Sequence, residues 1–582
     1  MNKIRANPDY RVNPVRNLIL NSNLKEVKMK STRIICYFVL ITFFLLLSEN
    51  SFAASGNRFP KSETRTFSAR IQSQPGNTLY IDRTQADLFI IGKNQNEISA
   101  EVTVEITDLP AEIIEEFFAQ IKLSFESHRD GIRLRFRSPK EKLVRKRTGV
   151  LKQLIRSIFD GDFDDLSMHI EFRIHVPEKQ SIIVDNDYGD VDLEGIFGDH
   201  DIENNSGEVS IRKCGGSLKV DNNYAGVEVI DFQGEVSVKN SNGGVYLKNI
   251  GGDAEIDNSY KSVEFENIRG TLTVNSSNSS VSGRGVESDC FIKSSYKPIE
   301  VANVAGKLEV RGSNCSVNVS DVKGDVWVNS SYKPITAINI GGELTIIGSN
   351  SSVDVKHVTK DASIRSSYKA IRVSDIGGAL KIDGSNCRVT AVNIENDVEI
   401  KSSYKDIDVE QVGGNLDIDG SNCRVTISDV KKSADIRTSY KSVSIKDLGG
   451  NLKVNGSNSS VMVDGLGGDA DIVNSYKQVI LKRTGGSIIV RGQNSSIEVS
   501  AIEKLPKESR IELITSYKPV TLSLPEGANV KISAYTNYGK IRSDYPVYLN
   551  EDANKQRARI ELGDGSTLIR IETSGNITLR KE

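Results

Sequence analysis

The chain has 582 residues, of which 38% are hydrophobic and 26% charged, and its formal net charge is -2. A charge this close to zero argues against a nucleic-acid-binding protein that works by neutralising phosphates. A mean hydropathy of -0.32 excludes a polytopic membrane protein, which needs several apolar segments of about 20 residues each.

The first element in chain order has the layout of an export signal. A basic stretch precedes an apolar run at 34–47, and Ser51 and Ala53 supply the small residues of a cleavage site. The run is short for a bilayer span, which favours cleavage over the alternative of an uncleaved anchor. We interpret 29–53 as a signal peptide and 1–28 as a non-native or disordered extension. The protein is then exported, and its final location is the periplasm, the outer surface or the medium.

The next region, 64–183, carries mixed strand and helix signals. Alternating apolar runs predict strands, most clearly at 100–106, and Asp108 precedes a predicted helix with apolar residues at 113–121. The basic segment 140–156 is either a solvated loop or helix, or a contact with an anionic surface. We expect this β-rich region, with one or two helices, to cap the edge of the repeats that follow.

The central part of the chain is an 18-residue repeat that alternates between two forms. Tyrosines recur every 36 residues, and asparagines lie midway between them, except that Ser206 replaces the first asparagine. We call the two forms Tyr units and Asn units, and we number positions 1 to 18 from the Tyr or Asn. The tyrosines are Tyr188, Tyr224, Tyr260, Tyr296, Tyr332, Tyr368, Tyr404, Tyr440 and Tyr476.

The apolar positions within a unit predict two strands. Positions 4 and 6 are apolar, as in Val317 and Val319, and positions 13 and 15 are apolar, as in Val326 and Val328. Such i, i+2 pairs of mostly β-branched residues are typical of strands that bury alternate side chains. The frequent glycine at position 11, such as Gly342, predicts a turn with positive φ. Each unit then forms one coil of a parallel solenoid, with identical positions stacked in columns.

The predicted fold class is therefore all-β, a parallel β-helix with 18-residue coils in a 36-residue double repeat. The double repeat has a packing explanation, because position 13 alternates between large and small residues, as in Leu344, Ala362 and Leu380. We assign 184–511 to the regular solenoid and 512–582, where the period breaks, to irregular coils and a cap.

The five cysteines downstream of the signal are predicted to be free, inert thiols. Cys214 and Cys290 occupy inward positions 9 and 13, and Cys315, Cys387 and Cys423 share position 2. Two coils separate Cys387 from Cys423, about 9.6 Å along the stack. That distance is beyond the reach of a disulfide.

Three short motifs resemble those of a known family. They are YGDVDL from Tyr188, LPEGANV at 524–530 and TSGNITL at 573–579. The chain from 64 to 582 is similar to the bacterial adhesin-like β-strand-repeat family of unknown function, which is related to auto-transporter adhesin head domains. The resemblance implies a right-handed parallel β-helix in an exported protein, and it implies no catalytic residues. The strict 36-residue period and the Ser-Tyr-Lys element depart from the family.

The sequence shows no catalytic or metal-binding signature. Its five histidines are scattered, and it has no HExxH, GxSxG, CxxC or phosphate-loop motif. The turns also lack the GGxGxD pattern of calcium-binding β-rolls. We predict no catalytic, cofactor-binding or metal-binding residues, and a non-enzymatic adhesin-like or envelope scaffold role. The alternatives are a polysaccharide-active β-helix enzyme, or a periplasmic sensor or envelope-assembly module.

The candidate binding residues are Tyr-Lys pairs that recur at one corner of every second coil, about 9.6 Å apart. One interpretation is structural, with tyrosine packing across a turn and lysine discouraging edge pairing. The other is a binding stripe for an acidic polymer, such as an acidic glycan or another envelope or cell-surface component. We expect no nucleic-acid partner and no membrane span after signal cleavage. This Tyr–Lys stripe comprises Tyr296, Lys297, Tyr332, Lys333, Tyr368, Lys369, Tyr404, Lys405, Tyr440 and Lys441.

Overall fold

Each 18-residue unit forms one coil with two strands, as the apolar spacing predicts. In a representative Asn unit the strands are Val317–Val322 and Val326–Ser331. The first strand joins a parallel sheet, sheet A, in which Val317 pairs with Ile335 of the next coil. The second strand joins a second parallel sheet, sheet B. The predicted all-β parallel solenoid is therefore confirmed.

The structure is a computed structural model of the chain. It describes residues 62–582 except 75, 108–110, 129, 140–166 and 504. The predicted extension 1–28, the predicted signal peptide 29–53 and the basic segment 140–156 lie outside the described residues. Ser62–Glu582 forms one unit. Within its described part, no helix is long and apolar enough to cross a membrane.

The strands of the regular coils alternate between the two sheets. The sheet A strands are Val191–Glu194, Val209–Arg212, Val227–Asn240 (which continues into sheet B), Val245–Ile250, Val263–Ile268, Val281–Val286, Ile299–Val304, Val317–Val322, Ile335–Ile340, Val353–Val358, Ile371–Ile376, Val389–Ile394, Ile407–Val412, Val425–Val430, Val443–Leu448, Val461–Leu466, Val479–Thr484 and Ile497–Ser500. The sheet B strands are Ser181–Tyr188, His200–Ser206, Gly215–Asn222, Ala254–Asn258, Leu272–Ser276, Cys290–Ser295, Leu308–Ser313, Val326–Ser331, Leu344–Ser349, Ala362–Ser367, Leu380–Ser385, Val398–Ser403, Leu416–Ser421, Ala434–Ser439, Leu452–Ser457, Ala470–Ser475 and Ile488–Gln493.

The core is a set of aliphatic columns between the two sheets. At position 4, Val317, Ile335 and Val353 are at most 1% exposed. At position 13, Ala362 pairs with Leu344 on one side and Leu380 on the other, so large and small side chains alternate along the column. This alternation fills the column without overpacking. The five described cysteines are buried and free, which confirms the predicted thiols.

The expected role of the position 11 glycines is wrong for most coils. Of these glycines, only Gly216 and Gly234 have positive φ. Elsewhere in the regular coils the positive φ angles occur mainly at position 1, as in Asn314 and Tyr332, and at position 8, as in Asn339. Glycine is required instead by a close approach, because a Cβ on Gly342 would lie 2.3 Å from Asp325 Oδ1. That oxygen accepts a 2.9 Å hydrogen bond from the backbone amide of position 12 in the next coil.

The N-terminal region extends both sheets and ends in antiparallel strands. Thr78–Gln85 and Asp87–Lys93 add to the first coil in parallel. Ile114, Phe117 and Phe118 of the described helix are buried at this end. These contacts cover the first coil with a β-rich cap, as expected. The remaining elements are the strands Glu63–Gln72, Glu97–Ile106, Lys122–His128, Gly131–Arg137 and Met168–Pro177 and the helix Ala111–Ala119.

The C-terminal coils lose the 18-residue register. Ile488 pairs with Ile511, so this coil contains 23 residues. Beyond it, strands from the end of the chain insert in parallel, and an antiparallel hairpin covers the last coil. The strands are Arg510–Ile514, Val520–Leu524, Val530–Asn537, Ile541–Ser543, Tyr548–Asp552, Lys555–Leu562, Thr567–Thr573 and Ile577–Lys581.

Candidate binding surface at the tyrosine corner

The tyrosines of the stripe lie at a tight corner where the chain passes from sheet B to sheet A. The backbone amide of Lys369 donates a 2.9 Å hydrogen bond to the Ser367 carbonyl, which closes a three-residue turn around Tyr368. The Tyr368 amide donates a 2.8 Å hydrogen bond to the Ser385 carbonyl of the next coil. The corner is therefore fixed by hydrogen bonds within and between coils.

Tyrosine is an unfavourable residue for this corner. The φ angles of the five stripe tyrosines run from 62° at Tyr404 to 66° at Tyr296. A left-handed conformation costs an ordinary residue roughly 1–2 kcal/mol, whereas asparagine tolerates it. The Asn units place asparagine at the equivalent position with φ near 57°, as in Asn350 and Asn386. The backbone therefore does not explain why every second coil carries tyrosine.

Core packing does not explain the tyrosines either. Each stripe tyrosine is exposed, from 62% in Tyr332 to 65% in Tyr440. The neighbouring lysines are also exposed. The surface thus presents aromatic rings at every second coil, about 9.6 Å apart, together with cationic side chains. All ten predicted stripe residues lie along this one corner.

A column of buried polar side chains at position 17 lies beneath the corner and forms hydrogen bonds with its carbonyl groups. In the Asn units, a hydroxyl at position 17 donates to the carbonyl of position 2, as from Ser366 to Ser351 at 2.8 Å and from Ser402 to Cys387 at 2.9 Å. In the first coils, asparagines such as Asn204 occupy the column and bond to corner carbonyls. Because these hydroxyl and amide donors are buried and paired with corner carbonyls, they keep the corner in one conformation.

The position 2 cysteines belong to the same buried layer. Cys387 and Cys423 have no exposed surface. Burial raises the pKa of both thiols to about 11, so they stay protonated at neutral pH. They serve as small apolar residues beneath the stripe.

The charge of the stripe is locally concentrated. Arg388 and Arg424 occupy position 3 of consecutive Asn units, and Asp406 occupies position 3 of the Tyr unit between them. The Asp406 carboxylate accepts hydrogen bonds from Arg388 at 2.9 Å and from Arg424 at 2.5 Å. The hydrogen bond from Arg424, together with the charges of Arg424 and Arg388, lowers the pKa of Asp406. The arrangement lies beside Tyr404 and Lys405.

The arginine pair is not among the predicted site residues, because the prediction rests on what all coils have in common. Elsewhere in the Asn units along the stripe, position 3 is serine, as in Ser316, Ser352 and Ser460. The detectable signal was therefore a departure from the repeat at one position, in two neighbouring Asn units and the Tyr unit between them.

The other polar clusters have structural explanations. At the opposite corner, position 8 side chains form a ladder, as from Asn339 Nδ2 to Asp321 Oδ1 at 2.8 Å. On sheet B, hydrogen bonds from Lys381 and Lys401 lower the pKa of Glu399 to about 2. The described residues contain no group of three or more side chains placed to hold a metal ion.

Comparisons with known proteins give no family. No family model matches the chain, and no curated protein matches it. A solved "putative cell adhesion protein" from Clostridium sporogenes is 11% identical, with a TM-score of 0.16, over 44% of this chain and 100% of that one. A solved "putative lipid binding protein" from Parabacteroides distasonis is also 11% identical, with a TM-score of 0.11, over 72% of this chain and 98% of that one. Similarities this low carry no functional argument.

Proposed function

We propose that the protein is an exported, non-enzymatic β-solenoid that binds an acidic glycan of the cell envelope or cell surface along the Tyr–Lys stripe. The observation that carries this proposal is the tyrosine itself. It occupies a left-handed position that suits asparagine better, and the residue is more than 60% exposed. A residue that neither the backbone nor the core requires is retained for what its side chain contacts outside the protein.

The chemistry of the stripe favours a glycan over other anionic polymers. Aromatic rings offer flat apolar faces to the C–H faces of sugars, and lysines attract carboxylate or sulfate groups. Both features recur about every 9.6 Å, twice the strand spacing. A linear glycan with a regularly repeated acidic sugar would meet the same pair of groups at each step. Many weak contacts on one rod then combine into a useful affinity.

An adhesive or scaffold role agrees with the predicted export signal and with the resemblance to adhesin-like repeat proteins. The repetition argues against an enzyme, because catalysis needs one distinctive cluster of acids and bases. A periplasmic sensor or envelope-assembly module is the second candidate. Cell fractionation separates the two, since an adhesive role requires the outer surface or the medium.

The lysines provide the first test. The variant K333Q/K369Q/K405Q removes three charges from the stripe, and K323Q/K360Q/K432Q removes three exposed lysines from the opposite corner. Calorimetric titration with oligogalacturonate in low salt should show weaker binding for the stripe variant only. Added salt should weaken wild-type binding, because exposed charges are screened.

Equal affinity of the wild type and the stripe variant would refute the proposed function. Release of new reducing ends during incubation of the purified protein with acidic polysaccharide would favour the enzyme instead. A neutral oligosaccharide such as cellohexaose is the matched probe without charge. Binding of cellohexaose as tight as that of oligogalacturonate would show that the lysines have no part in recognition.

A further inference from the structure

The stripe is not uniform along its length. At Tyr296 and Tyr332 the position 3 residues are Pro298 and Pro334, whereas at Tyr404 position 3 is the paired Asp406. Among the stripe tyrosines, only Tyr404 has an arginine at position 3 of both flanking Asn units. The repeat therefore departs from its own pattern at one place on the corner where the aromatic rings are exposed.

We infer that Tyr404, Arg388 and Arg424 form an anchor subsite of the stripe that binds a carboxylate or sulfate group of the glycan. This inference rests on the proposed function, because it assigns the strongest contact to the same surface. The two guanidinium groups would bind the anionic group, and the Tyr404 ring would contact the sugar that carries it.

The hydrogen bonds of the arginine pair pre-organise it. Arg388 and Arg424 each donate through Nη2 to the same Oδ2 atom of Asp406. The Asp406 side chain is 22% exposed, while the two arginines are 58% and 57% exposed. A guanidinium has five N–H donors, so each arginine keeps donors for a ligand. Asp406 is thus a positioning residue that holds two planar groups in place.

The local charge balance favours an anion. The lysines Lys369, Lys405 and Lys441 add three exposed positive charges to the two arginines. Among the described residues, no carboxylate forms an ion pair with these three lysines. The opposing carboxylates are Asp406, whose hydrogen bond is the main cause that raises the pKa of Arg424, Asp408, which adds to that shift, and Asp419, whose charge reaches the Cys423 thiol of the same corner. The five cationic groups therefore outnumber the carboxylates along this part of the corner. Planar guanidinium groups bind carboxylate and sulfate more specifically than lysine does.

Charge-matched double variants of the full chain test the anchor. R388Q/R424Q removes the arginine pair, K297Q/K333Q removes two charges elsewhere on the stripe, and K381Q/K453Q removes two from sheet B. Calorimetric titration uses oligogalacturonate as the carboxylate probe and a heparin-derived oligosaccharide as the sulfate probe. R388Q/R424Q should lose about tenfold or more in affinity for at least one probe, because charge-assisted bonds to guanidinium are strong. K297Q/K333Q should lose no more than about fivefold, as expected for exposed charges, and K381Q/K453Q should lose nothing.

The outcomes distinguish a failure of the anchor subsite from a failure of the proposed function of the whole stripe. Equal losses for R388Q/R424Q and K297Q/K333Q would overturn the anchor but leave the proposed function standing. No loss in either variant would overturn both. The probe whose affinity falls more in R388Q/R424Q identifies the anion. Duplex DNA that binds as tightly as these glycans, with the same loss, would overturn the glycan assignment.

Two further variants distinguish the role of the planar guanidinium groups from a loss of charge and from a loss of folding. R388K/R424K keeps the charge but removes the planar donors, and it should lose most of the affinity that R388Q/R424Q loses. Full affinity of R388K/R424K would overturn the specific role of the guanidinium groups. R388Q/D406N/R424Q also removes the carboxylate that the double variant leaves unpaired, and it replaces R388Q/R424Q should that variant unfold.

Discussion

At the scale of single residues, the unusual feature is tyrosine in a left-handed turn. Asparagine occupies the same position in alternate coils, where its φ angle is about 57°. The alternate coils of the same chain show that asparagine is the residue type this left-handed conformation favours. Tyrosine is not favoured there. The left-handed φ of the tyrosine and its exposure together indicate that the ring makes contacts outside the protein.

Replacing one tyrosine by asparagine should therefore not destabilise the fold. In Tyr368→Asn, relief of the left-handed strain should raise the free energy of unfolding by up to about 1 kcal/mol, offset in part by lost contacts of the ring. Denaturant unfolding measures this change, and Tyr368→Ala is the control that keeps the strain but removes the ring. A loss of stability by more than about 1 kcal/mol in Tyr368→Asn would favour the structural interpretation.

The buried thiols beneath the corner should show a defined pH dependence. The pKa of Cys387 is raised from 9.0 to about 11, so the folded state holds its proton more tightly than the unfolded state. The resulting stability is fully present below pH 9 and is lost as pH rises through about 11. We also expect an alkylating reagent at pH 8 to modify these thiols only after unfolding. Rapid modification of the native protein would contradict their burial.

At the scale of elements, the alternation of large and small residues at position 13 explains why the repeat contains two coils. Ala362 is 2% exposed between two leucines. Ala362→Leu should overpack this column and destabilise the solenoid by about 1–3 kcal/mol. The matched control is Ser363→Leu, whose outward side chain should change stability by less than about 0.5 kcal/mol. Equal thermal midpoints for the two variants would contradict the packing of this column.

The strands could be predicted from the sequence, but the corners could not. Each inward position of a strand repeats an aliphatic residue, and an i, i+2 pattern has one simple interpretation. A corner depends on backbone angles that several residues can adopt. Glycine at position 11 suggested positive φ, yet the close approach of Asp325 requires it at Gly342. The arginine pair was missed because side chains from three coils meet only once the coils are stacked.

At the scale of the whole molecule, the regular part is a rod. Eighteen coils, whose sheet A strands lie between residues 191 and 500, are stacked at the strand spacing and span roughly 85 Å. Small-angle scattering from residues 62–582 should therefore give a pair-distance function with a long tail beyond about 85 Å. A symmetric function, typical of a globule, would show that the coils do not stack.

A rod with one corner of repeated side chains suits a linear partner. Because each coil contacts mainly its neighbours, the stripe residues keep their spacing along the stack. Binding energy then grows with the number of ligand units that match the spacing, as expected for multivalent attachment. The proposed anchor at Tyr404 sets where along the rod the strongest contact forms.

The most direct test of this account is the affinity of Y332N/Y368N/Y404N for oligogalacturonate, measured by calorimetric titration. The variant copies the residue that the chain itself uses at the same corner, so the coils should remain intact. We predict a loss of about tenfold or more in affinity with an undiminished free energy of unfolding, because the variant removes three aromatic faces that would contact the sugar rings. Unchanged affinity in the folded variant would contradict a binding role for the tyrosines.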